Sequence, residues 1–197
     1  KALTGSIIFA RKLKAILSDA PMVGVLVPPS VGGVLTNVAL MMLGRVPVNL
    51  NYTASAETMA SCAAQCGIRQ VLTSKKFLER LPLQVPGETV LLEDIRETVT
   101  KKDQMLGLLT ALFMPIWLME RRLGKPHRSD NDLATVVFSS GSEGAPKGVM
   151  LSHRSVLSQT ETVASSFPHD RNTCIVGFLP FFHSFGFTGT LWMPIVN

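Results

Sequence analysis

At 197 residues, with 46% hydrophobic and 17% charged side chains, the chain is long and apolar enough for a packed core, which excludes intrinsic disorder. Its 15 Gly and 12 Pro follow no triplet period and no internal repeat is visible, so collagen-like, low-complexity and solenoid architectures are excluded and one domain or large subdomain is expected. The formal charge of +5 favours anionic partners, whether phosphate-bearing small molecules, lipid or nucleic acid, without choosing among them. Ile7, Ile8, Leu13, Ile16 and Leu17 then recur at helical spacing, and residues 22–27 form an apolar run ending at Pro28-Pro29, as a buried strand does.

A helix is expected from Ser30, carrying Val34, Leu35, Val38, Leu40 and Met41 and ending near Gly44, with a strand over residues 46–50 after it. Ser55 is the expected cap of a third helix closed by Gly67. Residues 71–73 read as the next strand and 75–81 as the next helix. Apolar runs at 90–92, 135–138 and 174–178 also read as strands, and helical patterns occupy 152–165 and part of 184–193. Near-continuous apolar strands alternating with helices predict an α/β fold, a largely parallel sheet with helices on both faces.

Residues 105–119 break this rhythm. They carry no charge, follow Lys101-Lys102 and precede Glu120-Arg121-Arg122, so residues 101–128 read as an apolar and basic insertion or connector. The run is too short to span a bilayer comfortably, and Pro115 should kink it. Two roles fit: a core helix packed on the sheet, or an interfacial helix whose Trp117 and flanking cations rest on anionic headgroups. The odd count of three cysteines argues against a disulfide framework and for a reducing compartment. Cys62 and Cys66 would share a helix face, but no His or second Cys pair stands nearby, so no metal is assigned to them. The chain opens on Lys1 without a signal-peptide pattern and is expected to be a segment of a longer protein.

The most informative stretch is Ser139-Ser140-Gly141-Ser142-Glu143-Gly144-Ala145-Pro146-Lys147-Gly148, which follows an apolar strand and packs three glycines, three hydroxyls and one lysine into ten residues. Polyphosphate binding asks for this mixture. Glycines let backbone N–H groups turn toward phosphate, hydroxyls add donors, and the ammonium supplies charge. It is not a Walker A loop, because Pro146 stands where the second glycine belongs and Gly148 follows the lysine. Pro146 has no N–H to offer, so hydroxyls and Lys147 must carry more of the contact than an amide nest. The loop is expected to join the strand ending near Ser139 to the helix starting near Ser152.

These residues resemble the signature of adenylate-forming ligases, Thr-Ser-Gly-Ser/Thr-Thr-Gly-x-Pro-Lys-Gly. The likeness extends through Leu151-Ser152-His153 and Leu179-Pro180-Phe181-Phe182-His183-Ser184-Phe185-Gly186, which is similar to the second motif of that superfamily, Pro-Leu-Phe-His-x-x-Gly. Residues 23–29, 47–55 and 72–78, with Ser-Glu-Gly in the loop, bring the likeness to the acyl-ACP synthetase half of bacterial 2-acylglycerophosphoethanolamine acyltransferase/acyl-ACP synthetases. Glu143 departs from the superfamily pattern and removes one hydroxyl from the loop.

The resemblance implies part of the large N-terminal AMP-binding domain, with residues 1–197 as a fragment that is expected to be inactive alone. Its implied reaction joins a fatty carboxylate to the α-phosphate of ATP, then passes the acyl group to a thiol of acyl carrier protein or CoA. It also implies Mg²⁺, and a link to lysophospholipid reacylation on the cytoplasmic side of the inner membrane. Cofactor contacts are expected from Ser139, Ser140, Gly141, Ser142, Glu143, Gly144, Lys147 and Gly148. His183 is expected beside the acyl carboxylate and α-phosphate, where a strand end faces the crevice of an open sheet. His153 is left to the start of the following helix. The family's adenine and ribose contacts, its carboxylate for Mg²⁺ and its C-terminal domain would lie after Asn197.

Other classes remain as alternatives. An acyl-CoA ligase fragment would share all these motifs. His127 and Asp132 have the His-x4-Asp spacing of glycerolipid acyltransferases, although a polar connector before a strand explains them more simply. Nucleic acid ranks last among the partners, since the chain has one Tyr and no basic stripe with interleaved aromatics.

Overall fold

The structure is a computed structural model that describes residues 1–124, 129–139, 146–167, 170 and 173–196. Strands β1 (Met22–Leu26), β2 (Val46–Asn49), β3 (Gln70–Thr73) and β4 (Glu88–Leu91) form a parallel sheet in the order β2-β1-β3-β4. Val25 of the central β1 pairs with Asn49 on one side and Leu72 on the other. Helices α1 (Ala2–Ile16), α2 (Val31–Met42), α3 (Ala56–Gln65), α4 (Lys75–Arg80) and α5 (Leu92–Glu97) surround or connect these strands.

Alternation along β1 explains the two covered faces. Val23, Val25 and Val27 join Ile7, Ala10 and Leu13 of α1 and Ala39 and Leu40 of α2 in one core. Leu26 points the other way, into a second core with Val48, Leu50, Met59, Cys62 and Val71. This is the α/β architecture expected from the sequence. Each fully buried leucine here contributes roughly 1.5–3 kcal/mol relative to exposure.

Helix starts are set by serine caps. Ser30, Ser55 and Ser74 accept hydrogen bonds from the backbone N–H groups of Gly33, Thr58 and Phe77. Between α2 and β2, the side chains of Asn37 and Asn49 exchange two buried hydrogen bonds, at 3.1 and 2.8 Å. The run at 90–92, expected as a strand, is divided: Leu91 ends β4 and Leu92 opens α5. Glu93 and Asp94 occupy the first turn of α5, where the helix dipole favours them. Glu93 also accepts from the Ser74 hydroxyl and the Lys75 N–H, at 2.7 and 2.9 Å. Burial would raise its pKa, but these hydrogen bonds outweigh it and hold the carboxyl below its ordinary value.

The uncharged run forms two helices, α6 (Lys101–Phe113) and α7 (Ile116–Leu123), separated at Met114-Pro115. Thr100 and Asp103 make a capping box at the start of α6. Gly107 brings α6 hard against α1, since a Cβ there would meet Ile8 Cγ1 at 2.5 Å. Lys12 binds Asp103 across the same contact at 2.8 Å. Met119 and Leu123 are buried, whereas the opposite side of both helices is exposed. Part of the run is therefore core and part is surface. Among the described residues, no helix is long and apolar enough to cross a membrane.

β5 (Leu133–Ser139) and β6 (Lys147–Ser152) form a separate antiparallel pair. β5 lies beside β2, and the Thr135 hydroxyl donates to the Pro47 carbonyl at 2.7 Å. The rest of the chain comprises α8 (His153–Ser166), a π-helical segment (Gly186–Trp192) and α9 (Met193–Val196). Ala134, Val156, Phe181, Phe187 and Leu191 form a third core there. Residues 174–178, expected as a strand, have no regular structure; they are exposed and pair with no other strand.

Candidate functional site

The glycine-rich stretch is bracketed by a hairpin. Ser139 and Lys147 face each other in the β5–β6 register, and Phe138 faces Gly148. Strand β6 was not expected; it occupies the latter part of what was expected to be loop before Ser152. Gln65, at the end of α3, donates from Nε2 to the Pro146 carbonyl at 3.0 Å and ties the start of β6 to the main sheet's helical layer. Ser140, Gly141, Ser142, Glu143 and Gly144 lie outside the described residues.

Ser139, Lys147 and Gly148 are exposed. Among the described residues Lys147 has no ion pair. At the far end of β6, Ser152 accepts from the Ser155 N–H at 3.2 Å and caps α8. His153 sits in the first turn of α8, with its backbone N–H on the Asp132 carbonyl at 3.0 Å. The Asp132 carboxylate closes a turn by accepting from the Ser129 N–H at 3.1 Å. His127 is outside the described residues.

A second group of residues gathers at the carboxyl ends of the parallel strands. Tyr52 follows β2, and Phe77 lies on α4 just after β3. Their rings meet edge to face with centroids 5.3 Å apart, and Tyr52 meets Phe182 in the same way at 4.9 Å. The His183 ring lies 4.6 Å from that of Phe182. Phe181 is buried against the first turn of α2 at Gly33, while His183 is exposed.

The backbone fixes this bend. The His183 N–H donates to the Pro180 carbonyl at 3.1 Å, and the His183 carbonyl accepts from the Phe187 N–H at 2.8 Å. Gly186 packs so close that a Cβ there would collide with the Pro180 carbonyl oxygen. His183 therefore stands over the carboxyl edge of an open sheet, where α/β folds place ligands. The element carrying it is not a strand over 174–178 but a bend clamped onto β1–β3 and their helices.

Burial raises the Tyr52 pKa, so its phenol stays protonated at neutral pH. Tyr52 and Phe77 were not singled out from the sequence; the available signal was their position just past two strand ends. Burial likewise pushes up the thiols of Cys62 and Cys66, which keeps both protonated. Among the described residues no group of three His, Cys, Asp or Glu side chains could hold a metal ion. Nor does a hydrogen bond or ring contact among them join His183 to Ser139 or Lys147. The hairpin and the aromatic bend are two separately anchored parts.

The family model described as AMP-binding enzyme matches residues 8–197. The chain is 34% identical over 71 residues to the medium-chain-fatty-acid–[acyl-carrier-protein] ligase TtuA of Teredinibacter turnerae, covering 36% of this chain and 11% of that protein. It is 33% identical over 151 residues to the probable 4-coumarate–CoA ligase 3 of Dictyostelium discoideum, covering 71% of this chain and 27% of that protein. O-succinylbenzoate CoA synthetase from Bacillus subtilis, solved with ATP and magnesium, superposes with a TM-score of 0.76 at 18% identity over 99% of this chain and 37% of its own. The chain thus spans roughly a tenth to a quarter of these two curated relatives.

Proposed function

Because the chain belongs to the AMP-binding enzyme family, we propose that it supplies the polyphosphate loop and one wall of the acyl site of an ATP-dependent, adenylate-forming acyl ligase. The observation that carries this reading is the β5–β6 hairpin, which presents an exposed Lys147, with no ion pair among the described residues, opposite Ser139 at the two ends of the glycine-rich stretch. Hydroxyls and an ammonium are the right donor set for the β- and γ-phosphates of ATP, where positioning and charge compensation matter more than covalent help. Ser140 and Ser142 would add hydroxyls from the stretch between.

Magnesium, when bound, neutralises phosphate charge and favours departure of pyrophosphate. His183, packed at a tilt against the Phe182 ring and exposed at the carboxyl edge, is suited to hold the acyl carboxylate against the α-phosphate. In the reaction, a carboxylate oxygen attacks the α-phosphorus and pyrophosphate leaves. A thiolate then attacks the acyl carbon of the adenylate, and AMP leaves as the thioester forms.

Fatty acid is the proposed substrate and the thiol of acyl carrier protein the proposed acceptor, supported by the likeness to TtuA. CoA is the second reading, supported by the longer match to a CoA ligase. Lysophospholipid as a later acyl acceptor has only the motif likeness of the first half of the chain behind it. The test is fatty-acid-dependent exchange of pyrophosphate into ATP by the intact protein, followed by thioester formation on holo-acyl carrier protein or CoA. Exchange that needs a medium- or long-chain fatty acid supports the proposal. No exchange with any carboxylate overturns it, and thioester on CoA alone replaces the first acceptor with the second.

A further inference from the structure

Helices α6 and α7 use only one side to pack on α1. On the other side Met105, Leu108, Leu112, Phe113, Ile116 and Trp117 are exposed, with Phe113 at 75%, Ile116 at 74% and Trp117 at 64%. These side chains form the turn between the helices and the outer stripe of α6. Lys101 and Lys102 border the stripe at one end, and Arg121 and Arg122 at the other.

A cleft of about 520 Å³ opens between α1, α6 and α7. Its apolar lining includes Ile7, Leu106 and Met114, and Arg11, Lys14 and Arg122 line it as well. Among the described residues none of these three cations has a carboxylate partner. The ion pairs among the described residues are Lys12 with Asp103 and Arg45 with Asp19. Lys14 donates instead to the Arg122 carbonyl at 2.6 Å, which holds its ammonium at the cleft wall.

An exposed apolar turn that adjoins the cleft at Met114, beside cations with no carboxylate partner among the described residues, matches an anionic amphiphile. We propose that the α1–α6–α7 face docks on an anionic phospholipid surface, with Phe113, Ile116 and Trp117 entering the interface and Arg11, Lys14 and Arg122 receiving a lipid phosphate. A tryptophan at this depth places its ring among the headgroups, as interfacial tryptophans do. The helices lie in the plane of the surface, because neither is long enough to cross. Apolar insertion and charge attraction then add, and the binding stays reversible because no covalent anchor is involved. This surface is distinct from the hairpin and the aromatic bend, so the inference stands apart from the reaction.

The experiment is co-sedimentation of the intact protein with phosphatidylglycerol-containing vesicles and with phosphatidylcholine vesicles. It is paired with fluorescence of a Trp192→Phe variant that leaves Trp117 as the reporter within this chain. The expected result is sedimentation with the anionic vesicles, weakened by salt, and a blue shift of Trp117 emission on their addition. Arg11→Gln with Arg122→Gln should lower affinity on the order of 30-fold at low salt, about fivefold for each charge removed. Phe113→Ser with Ile116→Ser should lower it at every ionic strength. These substitutions are on the surface and should leave the melting temperature unchanged.

Equal sedimentation of wild type and both double variants overturns the proposal. So does a blue shift that follows protein concentration without vesicles, which would assign the face to a second copy of the chain. Binding of free inorganic phosphate with no binding to vesicles would reassign the cleft to a soluble anion.

Discussion

Residues 1–124 and 129–196 bury their strands in different ways. The parallel sheet of the first region has a helical layer and an apolar core on each face, and β1 and β3 are almost wholly buried. In the second region β5 is buried at Ala134, Thr135 and Val136, where it lies beside β2, but the first four residues of β6 are exposed. Buried polar side chains are hydrogen-bonded in both regions, Asn37, Asn49 and Thr73 in the first and Thr135 and Thr160 in the second; among the described residues Trp192 Nε1 is the buried side-chain donor without a partner. The doubly covered sheet is the base, and the exposed positions of the second region include Lys147 and His183.

The sharpest way to break this contrast is to truncate one side chain in each region. Leu72→Ala, at a fully buried site in β3, should cost about 2–5 kcal/mol in denaturant unfolding. Met150→Ala on the exposed side of β6 should change stability by less than about 0.5 kcal/mol. Similar losses at both sites would show that the second region is as tightly packed as the first.

Gly186→Ala tests the clamp beneath His183. The added methyl group meets the Pro180 carbonyl, so a cost of roughly 1–3 kcal/mol is expected, with fatty-acid-dependent exchange falling further than the loss of folded protein accounts for. Wild-type exchange in this variant would free His183 from the role assigned to it. Asn37→Ala leaves the Asn49 amide buried without its partner and should cost about 1–3 kcal/mol, with exchange by the remaining folded protein unaltered.

The smallest expected effect concerns pH. The Asp103 carboxylate is held well below the ordinary carboxylate range, first by the hydrogen bond from Lys12 and then by the Thr100 N–H and hydroxyl. A depressed folded pKa means that its contribution is complete above the unfolded value of about 3.9 and is lost as pH falls toward the folded value. Thermal melts of wild type should therefore decline in that acidic window more than those of Asp103→Asn. The carboxylate is in partial contact with solvent, so the difference is small, and parallel declines would remove Asp103 from the docking of α6.

Much of the first region was legible because burial and periodicity agree there. Ser30 and Ser55 cap the helices expected of them, and residues 22–26 and 71–73 lie in strands buried as continuous apolar runs are. The second region separated apolarity from burial. Residues 174–178 are apolar but exposed and unpaired, and β6 is a strand without the alternation that reveals one. Helix α5 was hidden because Leu91 and Leu92 belong to one apolar run but to different elements. For the site, His183 and Lys147 were marked by composition and motif likeness. Tyr52 and Phe77 join His183 through Phe182 only in three dimensions, across long sequence separations.

In the proposed function Lys147, exposed at the mouth of the β5–β6 hairpin and without an ion pair among the described residues, meets the phosphates of ATP. The most direct test is the ATP dependence of fatty-acid-dependent pyrophosphate exchange by the intact protein, wild type against Lys147→Ala. Loss of a charge-assisted contact to phosphate, about 1.5–3 kcal/mol, predicts a fall of roughly 10- to 100-fold in exchange at limiting ATP, with the concentration dependence on fatty acid little changed. Exchange by Lys147→Ala equal to wild type at every ATP concentration would contradict the account.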